Sequence, residues 1–163
     1  MAIELWFHDG DPVCIHTLAS AAHQIVHDLN RQNKGTELLF DLTFFKTEKQ
    51  KKEFVAQIRK PSNFFKHADR GARAKDTIVF DPDLNVHMIM FATFAIQYLG
   101  KKLTSEEMAF QLWHIIRKPE LLTDAGEALF KKSYGVDQTE GVRRVPKRQF
   151  LETCRSVVRE KAS

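Results

Sequence analysis

The sequence predicts an all-α chain, one helical domain over residues 1–163 made of about six helices. Two observations predict it. Apolar residues recur at spacings of three and four, the period of a helix with one buried face. Helix-start signals repeat along the chain, as a cap residue followed either by proline or, three positions on, by Glu or Gln. The stretch "TIVF" is the place where one short strand, near 77–80, is expected.

The elements follow in order. "DPVCIHTLASAAHQIVHDLNRQNKG" opens on Asp11 as N-cap with Pro12 at the first helical position, and it closes near Gly35, where a left-handed cap fits. Within it Ile15, Leu18, Ala22, Ile25 and Leu29 form a stripe expected to face a core. "TELLFDLTFF" reads as extended chain or a short helix. Thr47 and Gln50 make a capping box before "EKQKKEFVAQIRK", and Pro61 is expected to restart the chain. Asp81 and Pro82 open a helix to about Tyr98 that is apolar almost all round and is expected to be central, with the first helix packed along it. Thr104 and Glu107 form a second capping box for a helix through Trp113 to Arg117. "TDAGEALFKKSYG" reads as a further helix ending at Gly135, and Pro146 begins a C-terminal one.

Composition excludes several classes. Hydrophobic residues at 43% and charged ones at 28% are those of a chain that folds on a core. No apolar run reaches the roughly 18 residues of a membrane span, and the N-terminus has no basic, signal-like region, so no membrane partner is expected. Cys14 and Cys154 lack metal or redox spacing and read as reduced thiols of a cytoplasmic protein. Charge alternates along the chain: residues 46–75 carry +7 and 141–163 carry +5, while 1–45 and 76–140 carry −4 each. The basic blocks would suit RNA or another phosphate-bearing partner, or equally the acidic half of a second copy, and a homodimer is expected.

The first helix carries a second stripe, His16, Ser20, His23 and His27, lying beside the apolar one. His23 and His27, one turn apart, could chelate a transition metal, with His16 or a distant carboxylate as third ligand. "HQIVH" has zinc-protease spacing, but Gln24 occupies the place of the glutamate base, and an amide cannot take a proton from metal-bound water. The plain alternative is a helix flank whose histidines meet a neighbouring helix or solvent. Phosphate-binding glycine loops and nucleophile elbows are absent from the sequence.

The stretch "PSNFFKHADRG", 61–71, sets Asn63 and His67 one turn apart, with Lys66 and Arg70 as nearby cations, a set able to face a phosphate. An Asn-x-x-x-His turn in a helical chain of this size resembles the motif helix of the HEPN superfamily. Many of its members are dimeric RNases of toxin–antitoxin and defence systems. The resemblance implies Asn63 as the polar residue and His67 as the histidine. Ser62 stands where the motif has arginine, so that role would fall to Arg59, Arg70 or Arg73. The alternative is a buried histidine satisfied by Asp69, Asn63 or a carbonyl. Three functions are therefore expected: a non-catalytic interaction module, a HEPN-like RNA-binding protein or RNase using Asn63, His67 and Arg70, or a metal-binding bundle using His16, His23 and His27.

Overall fold

Every regular element among the described residues is a helix. The computed structural model describes residues 1–35, 47–66, 77–118, 124 and 141–162. They carry α1 (Ala2–Phe7), α2 (Pro12–Gln32), α3 (Glu48–Lys66), α4 (Leu84–Tyr98), α5 (Ser105–Arg117) and α6 (Lys147–Ala162). These divide between two units, Met1–Lys102 and Leu103–Ser163. The segments "TELLFDLTFF" and most of "TDAGEALFKKSYG" lie outside the described residues.

Residues 77–80 are neither helix nor strand, which corrects the expectation of a strand there. Val79 is fully exposed, while Phe80 lays its ring edge-on to His16 at 4.9 Å. A strand needs a paired neighbour for its backbone groups. This segment instead half-buries Ile78 and Phe80 and leaves Thr77 and Val79 exposed.

The first unit is organised around α2, which touches α1, α3 and α4. Asp11 caps it as the sequence predicts, its Oδ1 accepting from Cys14 N at 2.8 Å. The pairing with α4 is parallel. Pro12 and His16 meet Asn85 near the N-terminal ends, and Val26 packs with Ala95, Ile96 and Leu99 further along. In contrast α3 runs antiparallel to α2, with Arg59 at Gln24 and Phe65 against His16. The centre is thus α2 rather than the apolar α4, because α2 is the element with three packed neighbours.

The rotation of α2 is the main departure from the sequence reading. Of its predicted apolar stripe only Ile15 is buried; Leu18 is half-buried and Ala22, Ile25 and Leu29 face outward. The histidine stripe faces inward instead. Neighbouring helices bury the flank that α3 and α4 can reach together, and the periodicity of one helix cannot specify that.

Pro61 does not restart the chain but sits inside α3. Proline withholds one backbone donor from the carbonyl four residues earlier, here that of Gln57, an exposed residue that water can reach. At the other end Thr47 Oγ1 accepts from Gln50 N at 3.2 Å, the backbone half of the expected capping box. Helix α4 begins two residues later than expected: Asp81 Oδ1 accepts from Asp83 N at 2.9 Å and Asp81 O from Leu84 N at 3.1 Å, so Asp81 and Pro82 form a turn that leads in.

Helices α1, α2 and α4 end in the same way. The amides of Gly10, Gly35 and Lys101 reach back five residues to Leu5 O, Asn30 O and Ile96 O, and those of Asp9, Lys34 and Gly100 reach back three. This is the Schellman closure, with one left-handed residue per end: Asp9 (φ 52°), Lys34 (φ 52°) and Gly100 (φ 69°). The left-handed residue after α2 is therefore Lys34, and not Gly35 as the sequence suggested. Gly35 is needed for space, since a Cβ there would collide with the Asn30 side chain; a Cβ on Gly10 would likewise press on Leu5.

The second unit pairs α5 and α6 antiparallel. The predicted capping box is complete: Thr104 Oγ1 accepts from Glu107 N at 3.3 Å, and Glu107 Oε2 from Thr104 N at 2.7 Å. Trp113 meets Phe150 edge-on at 5.2 Å, and Arg155 pairs with Glu106 at 2.9 Å. Arg117 lies 3.1 Å over the Trp113 ring. Its Nη2 also donates to the carbonyls of Val142, Arg143 and Val145, fixing the approach to α6.

Candidate functional site

The polar cluster of interest is the inward face of α2. His16, His23 and His27 are 0, 1 and 4% exposed, with Ser20 and Asn30 buried among them. Helical spacing aligns them, and α3 and α4 cover them.

His16 is held in one tautomer. Asn85 donates Nδ2–H to Pro12 O at 2.9 Å, which orients its amide and leaves Oδ1 as acceptor. His16 Nδ1 lies 3.0 Å from that oxygen, so it carries the proton. Nε2 is then a lone pair, and with Ser20 Oγ it has no hydrogen-bond partner among the described residues. Burial pushes the imidazole below its ordinary value; Asn85 opposes that shift, and the Lys66 cation adds to it. The ring meets both Phe80 and Phe65, which also meet each other edge-on at 5.4 Å. With no exposed surface it cannot reach a substrate from this position.

His23 is pushed down to about 4, first by burial and then by His27 and the Arg59 cation. It is neutral at physiological pH. The His23 and His27 rings lie 6.4 Å apart with planes 28° apart, stacked side by side. Arg59 approaches from α3 and donates Nη2–H to Gln24 Oε1 at 3.1 Å. Gln24, which ruled out the protease mechanism, thus serves as an acceptor between helices, while its own amide donates to Asp28 at 2.9 Å.

As a metal site the set expected from sequence does not assemble among the described residues, where no group of three His, Cys, Asp or Glu is placed to hold an ion. His16 lies seven residues, about 10.5 Å of helix rise, from His23, and its Nδ1 is turned to Asn85. Neither cysteine is activated. Asp11 beside Cys14 pushes that thiol up, and burial does the same for Cys154.

The second candidate set is only partly visible. Asn63 is exposed on the outer side of α3, next to buried Ser62 and half-buried Phe64 and Phe65. Ser62, in the place of the HEPN arginine, donates its hydroxyl to Arg59 O at 3.1 Å. His67, Arg70 and Arg73 lie outside the described residues. Arg59, the nearest upstream arginine, is engaged with Gln24 on α2.

Sequence reasoning missed Asn85, the residue that sets the state of His16. Asn85 lies in an apolar run, "LNVHMIMF", where a lone buried amide is itself a signal, since such a group requires partners. Among the described residues no helix is long and apolar enough to cross a membrane. Comparison with protein-family models, with curated proteins and with solved structures finds no match to this chain.

Proposed function

We propose that this chain is a non-catalytic interaction module of the cytoplasm that pairs with a second copy of itself through the outer face of α2. One observation carries the reading: α2 buries its polar side and leaves an aliphatic stripe outside. Leu18, Ala22, Ile25 and Leu29 follow one another at spacings of 4, 3 and 4, and Ile25 and Leu29 are 61 and 44% exposed. That spacing is the seam by which two helices pack, and a continuous apolar stripe, unlike a scattered leucine, marks an interaction surface. The alternating charge of the chain favours a second copy as occupant, because the stripe lies in an acidic block and each copy carries basic blocks.

The histidine face supports a structural role over catalysis, since its imidazoles are buried away from solvent. Light scattering after gel filtration at tens of micromolar should give twice the chain mass of 18.9 kDa. Ile25→Glu combined with Leu29→Glu should give the single-chain mass with unchanged helix content by circular dichroism. A wild-type mass that stays at one chain over that range refutes the proposal.

A further inference from the structure

Three ionisable imidazoles are packed into one helix face, and the helix lying antiparallel along that face brings cations. From α3 come Arg59, bonded to Gln24 beside His23, and Lys66, next to the Phe65 ring that meets His16; both lower the imidazole they face. From α4 come neutral groups, Asn85 at His16 and the buried Met88, Ile89, Ala92, Thr93 and Ala95. On α2 itself the carboxylate is Asp28, exposed, 3.5 Å from His27 and already accepting from Gln24. On α1 Glu4 and His8 pair with each other. We infer that the α2–α3 interface is an acid-released latch: protonation of the buried histidine face frees α3 from α2 while the α2–α4 pair stays closed.

The physical basis is an asymmetry between the two neighbours of α2. A proton placed on His23 adds positive charge beside Arg59, and one placed on His16 adds it near Lys66; both repulsions act across the α2–α3 contact. The α2–α4 contact rests on Val26 packing with Ala95, Ile96 and Leu99 and on the Asn85 amide, which keeps accepting from His16 Nδ1–H when the proton is added at Nε2. Opening lets water reach the imidazoles, so the open form takes the proton first, and falling pH favours it.

Amide hydrogen exchange of the whole chain tests this at pH 7.5 and pH 5, corrected for intrinsic rates. With His23 near 4 in the closed form and near 6.5 when hydrated, opening of 48–66 should rise about 30-fold at pH 5, while 84–98 keeps its protection. His23→Gln, which stays neutral, should remove most of that rise. Unchanged exchange in 48–66, an equal rise in α3 and α4, or the same rise in His23→Gln would each overturn the latch. Should that variant fail to fold, imidazole proton resonances of the wild type decide. His23 must titrate well below the ordinary imidazole range, and titration near 6.5 refutes the inference.

Discussion

Asn85 fixes the proton of His16: the amide donates to Pro12 O and accepts from the imidazole Nδ1–H, joining α4 to the first turn of α2 at 2.9 and 3.0 Å. His16 and Asn85 are both buried, so water cannot replace the bond between them. Asn85→Leu keeps the volume but orphans the buried His16 Nδ1–H, while the exposed Pro12 carbonyl stays satisfied within α2. It should cost about 1–3 kcal/mol, read from the urea midpoint at pH 7.5. A loss under about 0.5 kcal/mol would show the pair to be incidental.

Stability should also depend on pH in a defined window. Folding lowers the His23 value from 6.5 to about 4. Above about 6.5 both folded and unfolded chains hold it neutral, and its contribution is complete. Below that the unfolded chain binds the proton first, so stability falls until the folded value is reached, by about 3 kcal/mol at most. Urea titrations at pH 7, 5.5 and 4 should follow this slope in the wild type and flatten in His23→Gln.

The helix ends separate two roles of glycine. Gly35→Ala meets the Asn30 side chain, and Asn30 is buried, so it should cost about 2–3 kcal/mol. Gly100→Ala meets nothing but must hold φ at 69°, which should cost about 1–2 kcal/mol. Lys34→Gly relieves a left-handed lysine and should raise stability by about 0.5–1 kcal/mol. Thermal melts of the three variants must rank in that order.

Arg117→Lys tests the second unit. A lysine cannot both stack on Trp113 and supply a planar fork to the carbonyls of 142, 143 and 145. The variant should lose about 1–2 kcal/mol. An unchanged urea midpoint would show that the fork is dispensable.

What the sequence could tell was set by distance along the chain. The caps at Asp11, Thr47 and Thr104 were legible because a cap is made by residues three apart. The all-helical class was legible for the same reason. The rotation of α2 was not, since it depends on where α3 and α4 lie. Its periodicity showed two stripes side by side without saying which one the neighbours would cover. Thus the histidine stripe was found but placed on a flank. Six-residue α1 was missed, being too short to show a period, and Gly35 was assigned one position too far because a glycine beside the left-handed residue looks like the residue itself. The Asn63 and His67 pairing falls partly outside the described residues and stays as the sequence left it.

The parallel course of α2 and α4 has a kinetic consequence. Two neighbouring helices joined by a tight turn must run antiparallel, and such hairpins form quickly; here the His16 to Asn85 bond joins positions 69 apart. A nascent chain therefore makes α2 and α3 long before α4 exists, and the side of α2 that α4 covers meets water in the interval. Loop closure over that span slows the search. In stopped-flow mixing, refolding should lag behind that of up-and-down bundles of equal length.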